Sequence, residues 1–122
     1  MTRVVVLAQD LIWQERLVRS VVVAGFEPVR AKTADEFDRS LVGAGFAIVD
    51  LTAHAYDPFL AIERAVSAGA SVLAVGQHDD VEQRKRALAR GAERVLAYRK
   101  LFDDGPATIK AWIGRAATVA AS

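Results

Sequence analysis

The sequence contains no cysteine, which excludes disulfides and thiolate metal sites outright and fits a reducing, cytoplasmic setting. It has no apolar run long enough to span a bilayer. The opening run, "RVVVLA" (3–8), is also too short for the apolar core of a signal peptide. No charge of one sign dominates, and a net charge of +1 argues against a dedicated nucleic-acid binder. Linker and low-complexity stretches are missing too. At 52% hydrophobic and 25% charged residues, the composition is that of a folded globular protein and not of a disordered segment. The 122 residues therefore predict one domain, 1–122, large enough to close a single core without staples.

Present instead is a repeated alternation of short apolar runs and helical patterns. "RVVVLA" is almost continuously apolar, as a parallel strand covered on both faces would be. Asp10 then caps a helix that places Leu11, Val18 and Val22 on one stripe, with Leu17, Val21 and Ala24 beside it, and Gly25 ends it. "PVRAKT" (28–33) is a weaker strand. Thr33 and Glu36 form a capping box ahead of inward-facing Phe37 and Leu41. "FAIVD" (46–50) is the third strand. Asp57-Pro58 opens a helix carrying Leu60, Ala61, Ala65 and Val66, which runs to Gly69. "SVLAVG" (71–76) is the fourth strand. Asp80 with Gln83 caps a helix with Val81, Ala87 and Leu88, which ends at Gly91. "RVLAY" (94–98) is the fifth strand, and Pro106 starts a last helix with Ile109, Trp112, Ile113 and Ala116. Both tryptophans are expected to be partly buried on helix surfaces, with Trp112 in a core or boundary role rather than extending a docking face. Five strand–helix units with right-handed crossovers predict an α/β, three-layer, doubly wound parallel sheet of flavodoxin-like order 2-1-3-4-5.

Ligands of such sheets sit outside the carboxyl ends of the strands. The loops that matter are therefore 8–13, 49–58, 76–80 and 98–106. Several chemistries are missing from them. No G-x-G-x-x-G or Walker lysine follows a strand, and "AQDLIW" (8–13) has neither the glycine nor the hydroxyl that a nucleotide or flavin phosphate needs. No serine sits at a strand-to-helix elbow. His54 and His78, with Asp50, Asp79 and Asp80, match no metal-ligand spacing. What the edge does carry is Asp50, a carboxylate at the tip of a buried strand. The plainest reading is a strand-end carboxylate hydrogen-bonded to loop amides.

The segments "VVVLAQDLIWQERLVRSVVVAGF", "GFAIVDL" and "ALARGAERVLAYRKLF" resemble the receiver (CheY-like) domain of two-component response regulators, over nearly the whole chain. The resemblance implies that Asp50 falls on the phosphoacceptor. Active receivers add an acid pair after the first strand to hold Mg²⁺. They also have a Thr or Ser ending the fourth strand and a Lys ending the fifth. Those positions fall here on Ala8 and Gln9, on Gly76 and on Tyr98, with Asp10 one residue late and Arg99 and Lys100 just beyond. A phosphoryl group beside a carboxylate needs concentrated positive charge and donors, and three of the four roles lack their residue type. The chain resembles a degenerate pseudo-receiver. No catalytic residue, cofactor or tight metal site is expected, beyond weak Mg²⁺ binding at Asp10 and Asp50.

From Glu82 to Lys100 seven basic residues stand against Glu82 and Glu93, a surplus of five, so the rest of the chain carries about −4 of the overall +1. Arg84, Lys85, Arg86, Arg90, Arg99 and Lys100 are the candidate docking surface for an acidic protein. The resemblance implies a histidine kinase or output protein as partner, or a second copy of the chain. The leading expectation is a stand-alone pseudo-receiver that acts by protein–protein interaction and is not an enzyme. The alternatives are a single-domain response regulator phosphorylated on Asp50, and a small-molecule domain using Asp50, His54 and His78.

Overall fold

Five short strands lie side by side, all parallel, in the order β2-β1-β3-β4-β5. The computed structural model describes residues 2–121, with side chains through residue 116. In chain order the elements are β1 (Arg3–Leu7), α1 (Leu11–Val23), β2 (Glu27–Ala31), α2 (Ala34–Ser40), β3 (Phe46–Asp50), α3 (Pro58–Ser67), β4 (Ser71–Gly76), α4 (Val81–Ala89), β5 (Arg94–Ala97) and α5 (Tyr98–Ala121). The architecture is the expected three-layer, flavodoxin-like one.

The central strands β1, β3 and β4 are apolar on both faces because both faces are covered. Val4, Val6, Ile48, Leu73 and Val75 point into one core with α1 and α5. Val5, Leu7, Ala47, Val49 and Val72 point into the other, with α2, α3 and α4. The side chains at the centres of β1, β3 and β4 are completely buried, so truncating one, such as Ile48, to alanine costs about 2–5 kcal/mol.

The helix starts follow the capping chemistry. Asp10 accepts from the Trp13 amide, Thr33 from Glu36, Asp57 from Phe59 and Leu60, and Asp80 from Gln83. Gly25 and Gly91 sit just past the ends of α1 and α4 at φ of 97° and 111°, where a side chain would be strained.

Three sequence expectations are corrected. The buried stripe of α1 is Gln14, Leu17, Val18 and Val21, whereas Leu11 and Val22 are exposed. Leu60 and Val66 of α3 and Val81 and Leu88 of α4 are likewise exposed. A helix lying on a sheet buries only its central i, i+3, i+4, i+7 positions, and flanking apolar residues stay wet unless a neighbouring helix covers them. Second, Trp112 is buried completely and not in part, in the core role expected ahead of a docking one. It meets Phe46 edge-on at 5.4 Å and donates its indole N–H to Ser71 Oγ at 3.0 Å. It therefore adds nothing to a docking face. Third, residues 98–106 are not a loop. A first helical turn begins at Tyr98, and the helix kinks at Asp104 (φ −148°, ψ 37°), where Pro106 cannot donate back across the turn.

Candidate functional site

Asp50 ends β3 beside Val75 of β4, and only 2% of its surface is exposed. Its Oδ1 is the focus of the site. The Thr52 amide donates to it at 3.0 Å and the Thr52 hydroxyl at 2.8 Å, and the Tyr98 phenol donates to the same atom. Thr52 Oγ1 and Tyr98 Oη are themselves 2.6 Å apart. Two hydroxyl protons thus serve three close oxygen–oxygen contacts, so at any moment one of the three has no proton between its oxygens. Tyr98 is placed there because β5 passes into α5 without a loop. Its ring stacks on Trp13 of α1 at 4.1 Å between centroids.

Burial, and next the hydrogen bond to Asp50, push the Tyr98 phenol well above the ordinary tyrosine range, so it remains a donor. Tyr56 is raised too, first by burial and then by the charge of Asp50. Its hydroxyl donates to the main-chain oxygens of Asp50 (2.8 Å) and Leu7 (3.2 Å), tying the ends of β3 and β1 together.

A cavity of about 470 Å³ opens in front of Asp50, lined by Gln9, Asp10, Trp13, Thr52, His54 and Gln77 among others, with no Lys or Arg. The positions singled out in the sequence meet around it, in roles of their own. Ala8 is fully buried core. Gln9 turns its Oε1 to the amides of His54 (2.8 Å) and Ala55 (3.0 Å), fastening the loop after β3. Asp10 shares the cavity with Asp50 while capping α1. At Gly76 a Cβ would come within 2.9 Å of Gln83 Oε1 and 3.3 Å of Leu51 Cδ1. The space for a hydroxyl side chain is filled by Gln83, whose Nε2 donates to Leu51 O at 3.0 Å. Arg99 does not slip into register with Asp50. Its side chain is 91% exposed and lies 3.9 Å from Asp103. His54 and His78 are exposed, and among the described residues no three His, Cys, Asp or Glu side chains cluster closely enough to share a metal ion.

Sequence reasoning missed Thr52. The signal was there, since a hydroxyl two residues after a carboxylate is the local pattern of a side-chain-closed turn. Gln14 was missed as well. It interrupts an apolar stripe, yet it is buried and donates to the carbonyls of Ala8 (3.2 Å) and Ala31 (2.9 Å).

The basic residues divide into two groups. Arg90 pairs with Glu63 of α3 at 2.7 Å, Lys100 with Asp104 at 3.6 Å, and Arg86 lies 3.9 Å from the Phe59 ring centroid. Arg84 and Lys85 are exposed and have no ion pair among the described residues. Of the candidate docking residues, those left without an ion pair on α4 thus lie in its middle.

No protein-family profile matches the chain, and no curated protein matches it in sequence. Solved structures do match in fold. A response regulator receiver domain protein from Clostridium thermocellum superimposes with a TM-score of 0.81 at 15% identity, over 98% of this chain and 99% of that one. A two-component response regulator from Clostridium difficile gives 0.81 at 13% identity, over 94% and 98%. A response regulator protein from Burkholderia pseudomallei, solved with a phosphorylated aspartic acid, a calcium ion and citrate, gives 0.72 at 16% identity, over 91% and 72%. The fold is the CheY-like fold of response-regulator receiver domains. Among the described residues no helix is long and apolar enough to cross a membrane.

Proposed function

We propose that this protein is a receiver-fold signalling module of the cytoplasm that acts by contact with another protein, and whose Asp50 is not phosphorylated. The observation that carries the reading is the occupancy of Asp50 Oδ1 by Tyr98 and Thr52. A phosphoryl group arriving there would need a cation to offset its charge, and Tyr98 stands where the resemblance expects that lysine. Mg²⁺ fits the donor set poorly. It needs one or two free carboxylates plus water in octahedral geometry. Here the Gln9 oxygen already accepts two amides, and one of the two carboxylate oxygens of Asp10 caps α1. Signalling then rests on the surface. Arg84 and Lys85 on α4 are the free charges that would meet an acidic kinase or output protein, or an acidic patch on a second copy.

The test is incubation with acetyl phosphate and Mg²⁺, followed by intact-protein mass spectrometry. The expected result is an unmodified chain, with no Mg²⁺-dependent amide shifts saturating at low-millimolar metal. A phosphoryl adduct, or such saturation, that disappears in Asp50→Asn would replace this reading with the second one. That reading, a response regulator phosphorylated on Asp50, is favoured by one observation: Asp10 and Asp50 line the same cavity.

A further inference from the structure

Helices α1 and α5 pack side by side over the core that holds Val4, Val6 and Ile48, and leave between them a groove of about 350 Å³. That volume lies within the roughly 300–1,000 Å³ of small-molecule sites. Leu17, Val23, Leu101 and Pro106 supply an aliphatic wall, and Arg16 and Arg19 of α1 supply the charge. No lining residue is acidic.

Arg16 is held in an unusual way. Its guanidinium carbon lies 5.2 Å from the Trp13 ring centroid and 5.0 Å from that of Phe102. Contacts with ring faces leave the in-plane N–H donors of a guanidinium available, and those donors match a carboxylate in bidentate fashion. The nearby acids are engaged elsewhere, Glu15 with Arg30 at 2.8 Å and Asp103 with Arg99. Among the described residues neither Arg16 nor Arg19 has an ion pair. Beside these charges Val23 and Phe102 are 60% and 65% exposed and leave apolar surface next to the guanidinium groups.

We infer that this groove binds an apolar carboxylate. The anionic end sits on Arg16 and Arg19, and the hydrocarbon body lies on Leu17, Val23, Leu101 and Pro106. Charge complementarity selects this occupant over a second copy of the chain. A two-fold contact with its axis at Arg16 and Arg19 would set the unpaired arginines of one copy towards the same pair on the other. The site is separate from the Asp50 cavity, although Trp13 lines both.

The experiment is a titration of the ¹⁵N-labelled full chain with 1-naphthaleneacetate, in parallel with its neutral analogue 1-naphthaleneacetamide. Saturable shifts are expected in α1 and α5, including the Trp13 indole N–H, with the acid binding about tenfold or more tightly than the amide. Arg16→Gln with Arg19→Gln should lose about the same factor and bring acid and amide together. Both side chains are exposed, so an unchanged spectrum elsewhere will certify the fold. Phe102→Ala, which frees one face of Arg16, should also weaken the acid. Equal binding of acid and amide, shifts centred away from α1 and α5, or no shift up to the solubility limit overturns the inference.

Discussion

The phenol of Tyr98, at the first residue of α5, donates to the carboxylate of Asp50 at the tip of β3, a hydrogen bond that spans 48 positions of sequence. Removing the hydroxyl in Tyr98→Phe leaves Oδ1 with Thr52 alone. The loss of a buried hydrogen bond to an acidic group should lower stability by about 1–3 kcal/mol. Urea unfolding of the two proteins measures it. A loss smaller than that range, with unchanged slope, would mean that Thr52 alone satisfies the carboxylate.

Introducing a hydroxyl at the end of β4 should displace a side chain. Gly76→Ser brings a Cβ against Oε1 at the flexible end of Gln83, which can swing aside with loss of its hydrogen bond to Leu51 O, a cost of about 0.5–1.5 kcal/mol. Shortening the obstructing side chain in Gln83→Ala should recover part of that cost in the double variant. A double-mutant cycle with no coupling would place the cost elsewhere.

The chain has two tyrosines, and the folded protein raises both phenols, Tyr56 and Tyr98, above the ordinary value of about 10. Below pH 10 folded and unfolded states hold the same phenolic protons, and these groups leave stability unchanged. Above it the unfolded chain releases them first, so stability falls as pH rises. Phenolate absorbance should therefore stay flat through pH 10 and rise only together with loss of circular dichroism. A separate step near pH 10 in the folded protein would show that one phenol is more accessible than its burial indicates.

Charge reversal on α4 should act on partner binding, and Arg84→Glu with Lys85→Glu is the informative pair, since Arg86 and Arg90 already have partners within the chain. Association should slow and its salt dependence should flatten, with the fold intact. Asp50→Ala should change affinity by less than about 1 kcal/mol, as expected away from an interface hot spot. Titrating a pulled-down partner against both variants at two salt concentrations decides between them. Abolition by Asp50→Ala with a silent double reversal would instead favour the phosphoacceptor reading.

Much of the architecture was legible along the chain, because it is written in local terms. Continuous apolar runs mark strands buried on both faces, and four Asp or Thr caps and the closing glycines mark helix ends. An Asp at the end of β3 could be placed at the sheet edge by counting alone. The roles around it could not. Whether Gln9 faces the cavity or fastens a loop, whether Gly76 leaves room or abuts Gln83, and whether Tyr98 points at Asp50 or at solvent depend on groups brought together from distant segments. The same holds for the surface. Arg84, Lys85, Arg86, Arg90, Arg99 and Lys100 read alike as charges in sequence. Only the packing of α4 on α3 and the early start of α5 decided which of them meet Glu63, Phe59, Asp103 and Asp104, and which stay free.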